Sequence, residues 1–86
     1  MKYTVVFTEL ADDELAAAWL KSTDRKTVTN TANQLEFLLS NDPLNAGESR
    51  DSSLNRIIWG DPIGMTFEVI PDDYKVIVHS VWLTTI

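Results

Sequence analysis

Apolar and polar residues alternate from Lys2 to Thr8, with Tyr3, Val5 and Phe7 on one face and Lys2, Thr4 and Thr8 on the other. A period of two marks a half-buried strand, and Val6 is the one apolar residue on its polar side. The period then lengthens. Ala11, Leu15, Ala18 and Trp19 recur at helical spacing, which predicts a first helix from about Glu9 to Lys21. Thr8 stands before it as an N-cap, Glu9, Asp12 and Asp13 lie near the positive end of its dipole, and Lys21 lies near the negative end. The break Ser22-Thr23-Asp24 supplies caps for a second helix, from about Asp24 to Leu39. Its inward stripe is Val28, Ala32, Leu35 and Leu39, with Thr31 and Leu38 at the edge. Phe37 falls on the far side of that stripe, so either the following loop folds over it or a partner covers it. The small residues Ala16-Ala17-Ala18 favour close approach to a neighbouring helix.

Ser40 to Ser53 carries no period and reads as a polar loop of about fourteen residues, long for so small a chain. Three apolar, β-branched and aromatic runs follow, separated by Gly60-Asp61-Pro62 and Pro71-Asp72-Asp73. Connections this short cannot carry a parallel crossover, so the runs form an antiparallel meander. The expected fold is α+β: an N-terminal strand, a helical hairpin and a three-stranded meander (β-α-α-β-β-β) in one domain over 1–86. The helices should cover one sheet face through Leu15, Trp19, Val28, Leu35 and Leu39.

A sheet covered on one side leaves the other face open. Alternation sends Met65, Phe67 and Val69 to the core and Gly64, Thr66, Glu68 and Ile70 to the open face. In the last strand, Ile77, His79 and Val81 oppose Val76, Val78, Ser80 and Trp82. His79 is assigned to the open face, because a buried imidazole needs two hydrogen-bond partners. Arg56 opens a strand whose other face carries Ile57 and Trp59. On this reading Arg56, Glu68 and His79 converge.

Charge changes the picture. Thirteen acidic residues against seven basic ones give a net charge of −6, and only Arg25 and Lys26 are adjacent cations. Nucleic-acid binding draws on Lys and Arg neutralising phosphates, so a phosphate-tracking stripe is not written in this chain. Cysteine is absent and there is one histidine, which excludes disulfides and most transition-metal sites. No run approaches the roughly 20 apolar residues of a membrane span, and no signal-like apolar segment opens the chain. A cytoplasmic protein without cofactor, metal or membrane contact is expected.

The order strand–helix–helix–strand–strand–strand resembles the RelE/ParE superfamily toxins of type II toxin–antitoxin systems. The resemblance rests on Asp42-Pro43-Leu44 leaving the second helix, Gly47-Glu48-Ser49-Arg50 in the loop and Arg56 opening the next strand. The run Pro62 to Val69, then Asp72-Asp73, then Val76 to Trp82 extends it over nearly the whole chain. The resemblance implies a plasmid-stabilization type of toxin bound by a cognate antitoxin. Its target would be the ribosome and its mRNA, in RelE-like cleavage, or DNA gyrase, in ParE-like poisoning. Nuclease members share a basic surface from which this chain departs. Gly64 or Ile63 stands where the central strand carries arginine, and the C-terminal cluster is reduced to His79 and Trp82 ahead of Leu83-Thr84-Thr85-Ile86. Fold and partner logic therefore transfer better than catalysis.

RNA cleavage by the 2′-hydroxyl needs a base, an acid for the departing 5′-oxygen and a cation for the phosphorane charge. Glu68 as base, His79 as acid and Arg56 or Arg50 as phosphate clamp would supply these, with Trp82 beside them as a target contact. The plainer alternative makes Arg56 and Glu68 a cross-strand ion pair with His79 solvated. Glu48 and Arg50 carry the same ambiguity between a loop-ordering pair and a substrate contact. The cation deficit favours target binding over strong nuclease activity, with a non-toxic interaction module of the same fold as the other class.

Overall fold

The computed structural model describes residues 2–52 and 54–84. Ser53, which closes the predicted loop, and the Thr85-Ile86 end lie outside them. Strand β1 (Thr4–Phe7) is followed by α1 (Glu9–Lys21) and α2 (Arg25–Asn41). Strands β2 (Glu48–Ser52), β3 (Asn55–Trp59), β4 (Ile63–Ile70) and β5 (Lys75–Leu83) complete the order, with a short 3-10 turn at Pro71–Asp73. They form one mixed sheet, β1-β5-β4-β3-β2, in which β1 runs parallel to β5 and the other pairs are antiparallel.

The caps act as their chemistry dictates. Thr8 accepts from the Ala11 N–H at the head of α1, and Asp24 accepts from the Thr27 N–H at the head of α2. The Thr27 hydroxyl also donates to Asp24 at 2.6 Å, and these two bonds hold the Asp24 carboxyl below its usual pKa of 3.8.

The core lies between the hairpin and the sheet. Val28, Leu35 and Leu39 of α2 are buried with Met65, Phe67 and Val69 of β4 and Val76 and Val78 of β5. The first helix departs from expectation, because its buried positions are Ala11 and Ala18. Leu15 is only partly buried and Trp19 is exposed at the rim. The alanines bring α1 onto β5, where the Glu14 carboxylate accepts from the Val81 N–H at 3.2 Å. Toward α2, Ala16 instead lines an open groove. Phe37 stays 64% exposed, so the following loop does not cover it.

Two further expectations are corrected. The sheet has five strands rather than a three-stranded meander beside an N-terminal strand, because part of the predicted loop is β2. Every residue of β2 is exposed, and its sequence Glu-Ser-Arg-Asp-Ser has no apolar alternation to betray it. An edge strand with both faces wet leaves no periodic signature. It is positioned instead by Gly47, at φ +64°, where an added Cβ would sit 2.1 Å from the Ile57 carbonyl oxygen.

The second correction concerns β5. Phe67 pairs with Val78 but Thr66 pairs with Ser80, so His79 is the extra residue of a β-bulge. The bulge resets the alternation: Val81 turns into the core, and Trp82, paired with Gly64, turns to the open face. Strict period two had put Val81 with His79.

Candidate functional site

The open face of the sheet is built in rows set by register. One row holds Asn55, Glu68 and Ile77, and the next holds Ile57, Thr66 and Ser80. The row beyond it holds Trp59, Gly64 and Trp82. Cross-strand partners share a face, so these side chains form one surface. His79, displaced by the bulge, reaches Glu68: Nε2 and Oε1 are 3.1 Å apart, and both side chains are well exposed. The Thr66 and Ser80 hydroxyls hydrogen-bond to each other in the neighbouring row.

At the other end, the Trp59 and Trp82 rings meet edge to face with centroids 5.3 Å apart. Gly64 makes this possible, since an added Cβ would lie 2.8 Å from Trp82 Cζ2. The backbone at Gly64 is thus a seat for the indole, at one of the two positions where an arginine was sought. Trp59 remains 61% exposed beside it.

Arg56 is elsewhere. It pairs with Phe67 and, through it, lies in the row of Val78, which faces the helices. Its Nε donates to the Ala46 carbonyl at 2.9 Å and its Nη2 to the Gly47 carbonyl at 3.2 Å. Register thus sets Arg56 one residue off the row that holds Glu68. Ile57 and Trp59, placed inward on the sequence alone, face outward, and Arg56 takes the inward side. Arg50 is exposed on β2. A shallow depression of about 160 Å³ is bordered by Arg50, Asp51, Asn55, Thr66 and His79. Arg56 and Phe67 also border it, although register sends their side chains toward the helix layer.

What this surface can do follows from its groups. Glu68 and His79 form one hydrogen-bonded unit, able to hold an imidazole in a fixed orientation, or an ion pair when the imidazole is protonated. The tryptophan pair offers a flat apolar contact. The Trp59–Trp82 contact and the Thr66–Ser80 pair were not anticipated, and only the bulge, invisible to strict alternation, would have revealed them.

Among the described residues there is no group of three or more His, Cys, Asp or Glu side chains arranged to hold a metal ion. No helix among them is long and apolar enough to cross a membrane.

The backbone has close counterparts among solved structures. One chain of the RelBE2 toxin–antitoxin complex from Mycobacterium tuberculosis superposes with a TM-score of 0.77 at 18% identity, over 96% of this chain and 92% of that one. The fold is that of the RelE/ParE toxins. The chromosomal ParDE system from P. aeruginosa gives 0.70 at 16% identity, over 96% and 97% of the two chains. A mutant E. coli RelE toxin in the free state gives 0.72 at 23% identity, over 96% and 84%. By sequence, no family model and no curated protein matches. The RelE/ParE likeness thus lives in the path of the backbone.

Proposed function

We propose that this protein is the toxin-like component of a type II toxin–antitoxin pair, bound by a cognate antitoxin, and that it acts by engaging a target through the open sheet face rather than by strong RNA cleavage. The observation that carries this reading is the disposition of the charged groups. Cleavage needs a base and an acid on opposite sides of the phosphate and a cation for the developing charge. Here Glu68 and His79 hold each other, and the Arg56 guanidinium is engaged by the Ala46 and Gly47 carbonyls. The exposed Trp59–Trp82 pair suits a protein target, since aromatic side chains are enriched at the centres of interfaces. A gyrase-like target fits that surface. The RelBE2 neighbour was solved as a toxin–antitoxin complex, which supports an antitoxin partner for this chain.

A second reading, ribosome-dependent mRNA cleavage, is favoured by the depression that Arg50 borders with His79. On it the ribosome supplies the positioning that the net charge of −6 does not. Induced expression, with and without the neighbouring reading frame, separates the readings. Growth arrest relieved by the neighbour, with DNA damage and intact mRNA, is the expected result. Arrest with mRNA cleavage abolished by Arg50→Ala replaces the proposal with the second reading. Normal growth with no co-purifying neighbour makes the protein a plain interaction module.

A further inference from the structure

Phe37 stands on the side of α2 opposite the buried Val28, Ala32, Leu35 and Leu39, 64% exposed, with Leu38 at 48% to one side of it. Asn30, Asn33, Gln34 and Asn41 share that outer face and are exposed. Asn33, Gln34, Phe37 and Leu38 border a shallow depression of about 440 Å³. From Thr27 to Asn41 the face carries no charged side chain. The one charge in that stretch, Glu36, lines the groove toward α1. The solvent side of a surface helix is normally charged or polar, and this one is uncharged in a chain of net charge −6. Loss of charge around an aromatic residue is the compositional mark of an interface centre.

The ends of α2 supply a second observation. Asp24 caps the helix, but the first turn itself holds Arg25 and Lys26 and no acid, while the last turn holds no base and runs into Asp42. The helix dipole favours acids in the first turn and bases in the last, the reverse of this order. A second α2 laid antiparallel corrects it, because each cation then faces the negative end of the other helix. Lys26 lies eight residues before Gln34 and Asp42 eight residues after it. A two-fold axis through Gln34 therefore sets each Lys26 opposite the partner's Asp42. Asp42 is exposed, and its carboxylate accepts from Asn45 Nδ2 at 3.1 Å, which leaves its charge in place. On the axis two Gln34 amides meet, each both donor and acceptor.

We propose that α2 docks antiparallel on α2 of a second copy of this chain, with each Phe37 across the partner's Asn30 and each Lys26 facing the partner's Asp42. Two molecules of net charge −6 approach here because the touching faces are neutral and their ends attract. A helix of 17 residues offers a strip about 25 Å long and about 10 Å wide. That footprint is well below the roughly 800 Å² per partner of a stable interface, so the dimer is weak and reversible. α2 lies on the covered side of the sheet, so the open face of each protomer stays clear. One consequence rests on the toxin reading above: the dimer presents two target faces at once, and a target with two sites is held more tightly than by one face. The dimer itself does not depend on that reading.

The test uses the full chain in sedimentation equilibrium from about 10 μM to about 1 mM, the range of weak association. A monomer–dimer equilibrium is expected there, with concentration-dependent amide shifts on the outer face of α2. Phe37→Glu sets a carboxylate in the middle of the contact and should weaken association at least about tenfold. Phe37 is exposed in the protomer, so the fold is kept, which the unperturbed core amides of the variant verify. Lys26→Glu and Asp42→Lys each bring like charges together at both ends of their own dimer, and each should weaken it about fivefold or more. Mixed in equal amounts, the two variants pair with unlike charges at both ends, and wild-type association should return. A chain that stays monomeric up to about 1 mM, a dimer indifferent to Phe37→Glu, or a mixture no tighter than its components overturns the proposal. A culture that grows normally on induction, alongside a dimer with these properties, overturns the toxin reading and leaves this inference standing.

Discussion

Replacing Gly64 by alanine probes a place where the backbone of the open face is shaped around a side chain. An added Cβ would lie 2.8 Å from Trp82 Cζ2, 3.0 Å from Cε2 and 3.1 Å from the Ile58 carbonyl oxygen. The first contact is too short to persist, and the indole is only partly buried, so it moves. Overpacking of this kind costs about 1–3 kcal/mol. The displaced ring also loses its edge contact with Trp59, a term of about 0.5–1.5 kcal/mol that overlaps the first. Against these, alanine restricts the unfolded chain more than glycine and returns about 0.4–1 kcal/mol. A net loss of about 1–2 kcal/mol is expected from urea unfolding followed by far-UV circular dichroism, with a weakened near-UV tryptophan signal. The decisive comparison is a double-mutant cycle. In a Trp82→Ala background the indole is gone, and Gly64→Ala should cost distinctly less, since only the 3.1 Å contact with the Ile58 carbonyl is left to relieve. If the cost of Gly64→Ala agrees in the two backgrounds within about 0.3–0.5 kcal/mol, Trp82 is not seated on Gly64 and the account of the aromatic pair is wrong.

Leu35→Ala, in the buried stripe of α2, should cost about 2–5 kcal/mol, and a loss under about 1 kcal/mol would mean that the helix face is misassigned. Gly47→Ala forces a Cβ onto the Ile57 carbonyl from a left-handed backbone, so amide exchange should accelerate across β2 and the start of β3; unchanged exchange there would contradict the role given to Gly47. The Asp24 carboxyl is held low by Thr27, so its capping contribution is present above pH 3.8, the ordinary value, and is lost as the pH falls through the lower folded one. The Tm gap between the wild type and Asp24→Ala should therefore be steady near neutrality and close in strong acid, and a gap that widened in acid would reverse the sign argued here. Labelled free RNA at about 0.15 M salt should show no measurable binding, and micromolar affinity would reveal a patch made by Arg25, Lys26, Arg50 and Arg56.

The helices and the central strand were legible because their signals are local. Thr8 and Asp24 cap through their own side chains, and Val28, Leu35 and Leu39 repeat at helical spacing. Met65, Phe67 and Val69 alternate without interruption in β4, because the extra residue at the Thr66/Phe67 step belongs to β5. What escaped depends on relations between strands. β2 has no buried face, so composition alone made it a loop. The bulge at His79 is a property of the β4–β5 pair, and it decides that Val81 is core while Trp82 is surface. Arg56 was misplaced because Ile57 and Trp59 look like core residues, yet an open sheet face keeps apolar side chains when nothing in the chain covers it. The Glu68–His79 contact was within reach, since a carboxylate on β4 and an imidazole on β5 were both assigned to that face.

The placement of the cations links the fold to the proposed action. Seven basic side chains in an 86-residue chain would suffice for a small phosphate site if they were gathered. They are not gathered. Arg56 holds the loop ahead of β2 through two carbonyls, so its removal should loosen β2 before it weakens any target contact. Arg25 stacks on Trp19 and closes the turn end of the helical groove. Arg50 stands exposed on the edge strand next to Asp51 and shares its depression with that carboxylate, which lowers the local potential a phosphate would feel. The apolar groups show the opposite tendency. Trp59 and Trp82 are brought together on the open face by a glycine and a bulge, and Leu15 and Trp19 line the groove on the other side. A surface that disperses its cations and clusters its aromatics is suited to holding proteins rather than to cutting a polyanion.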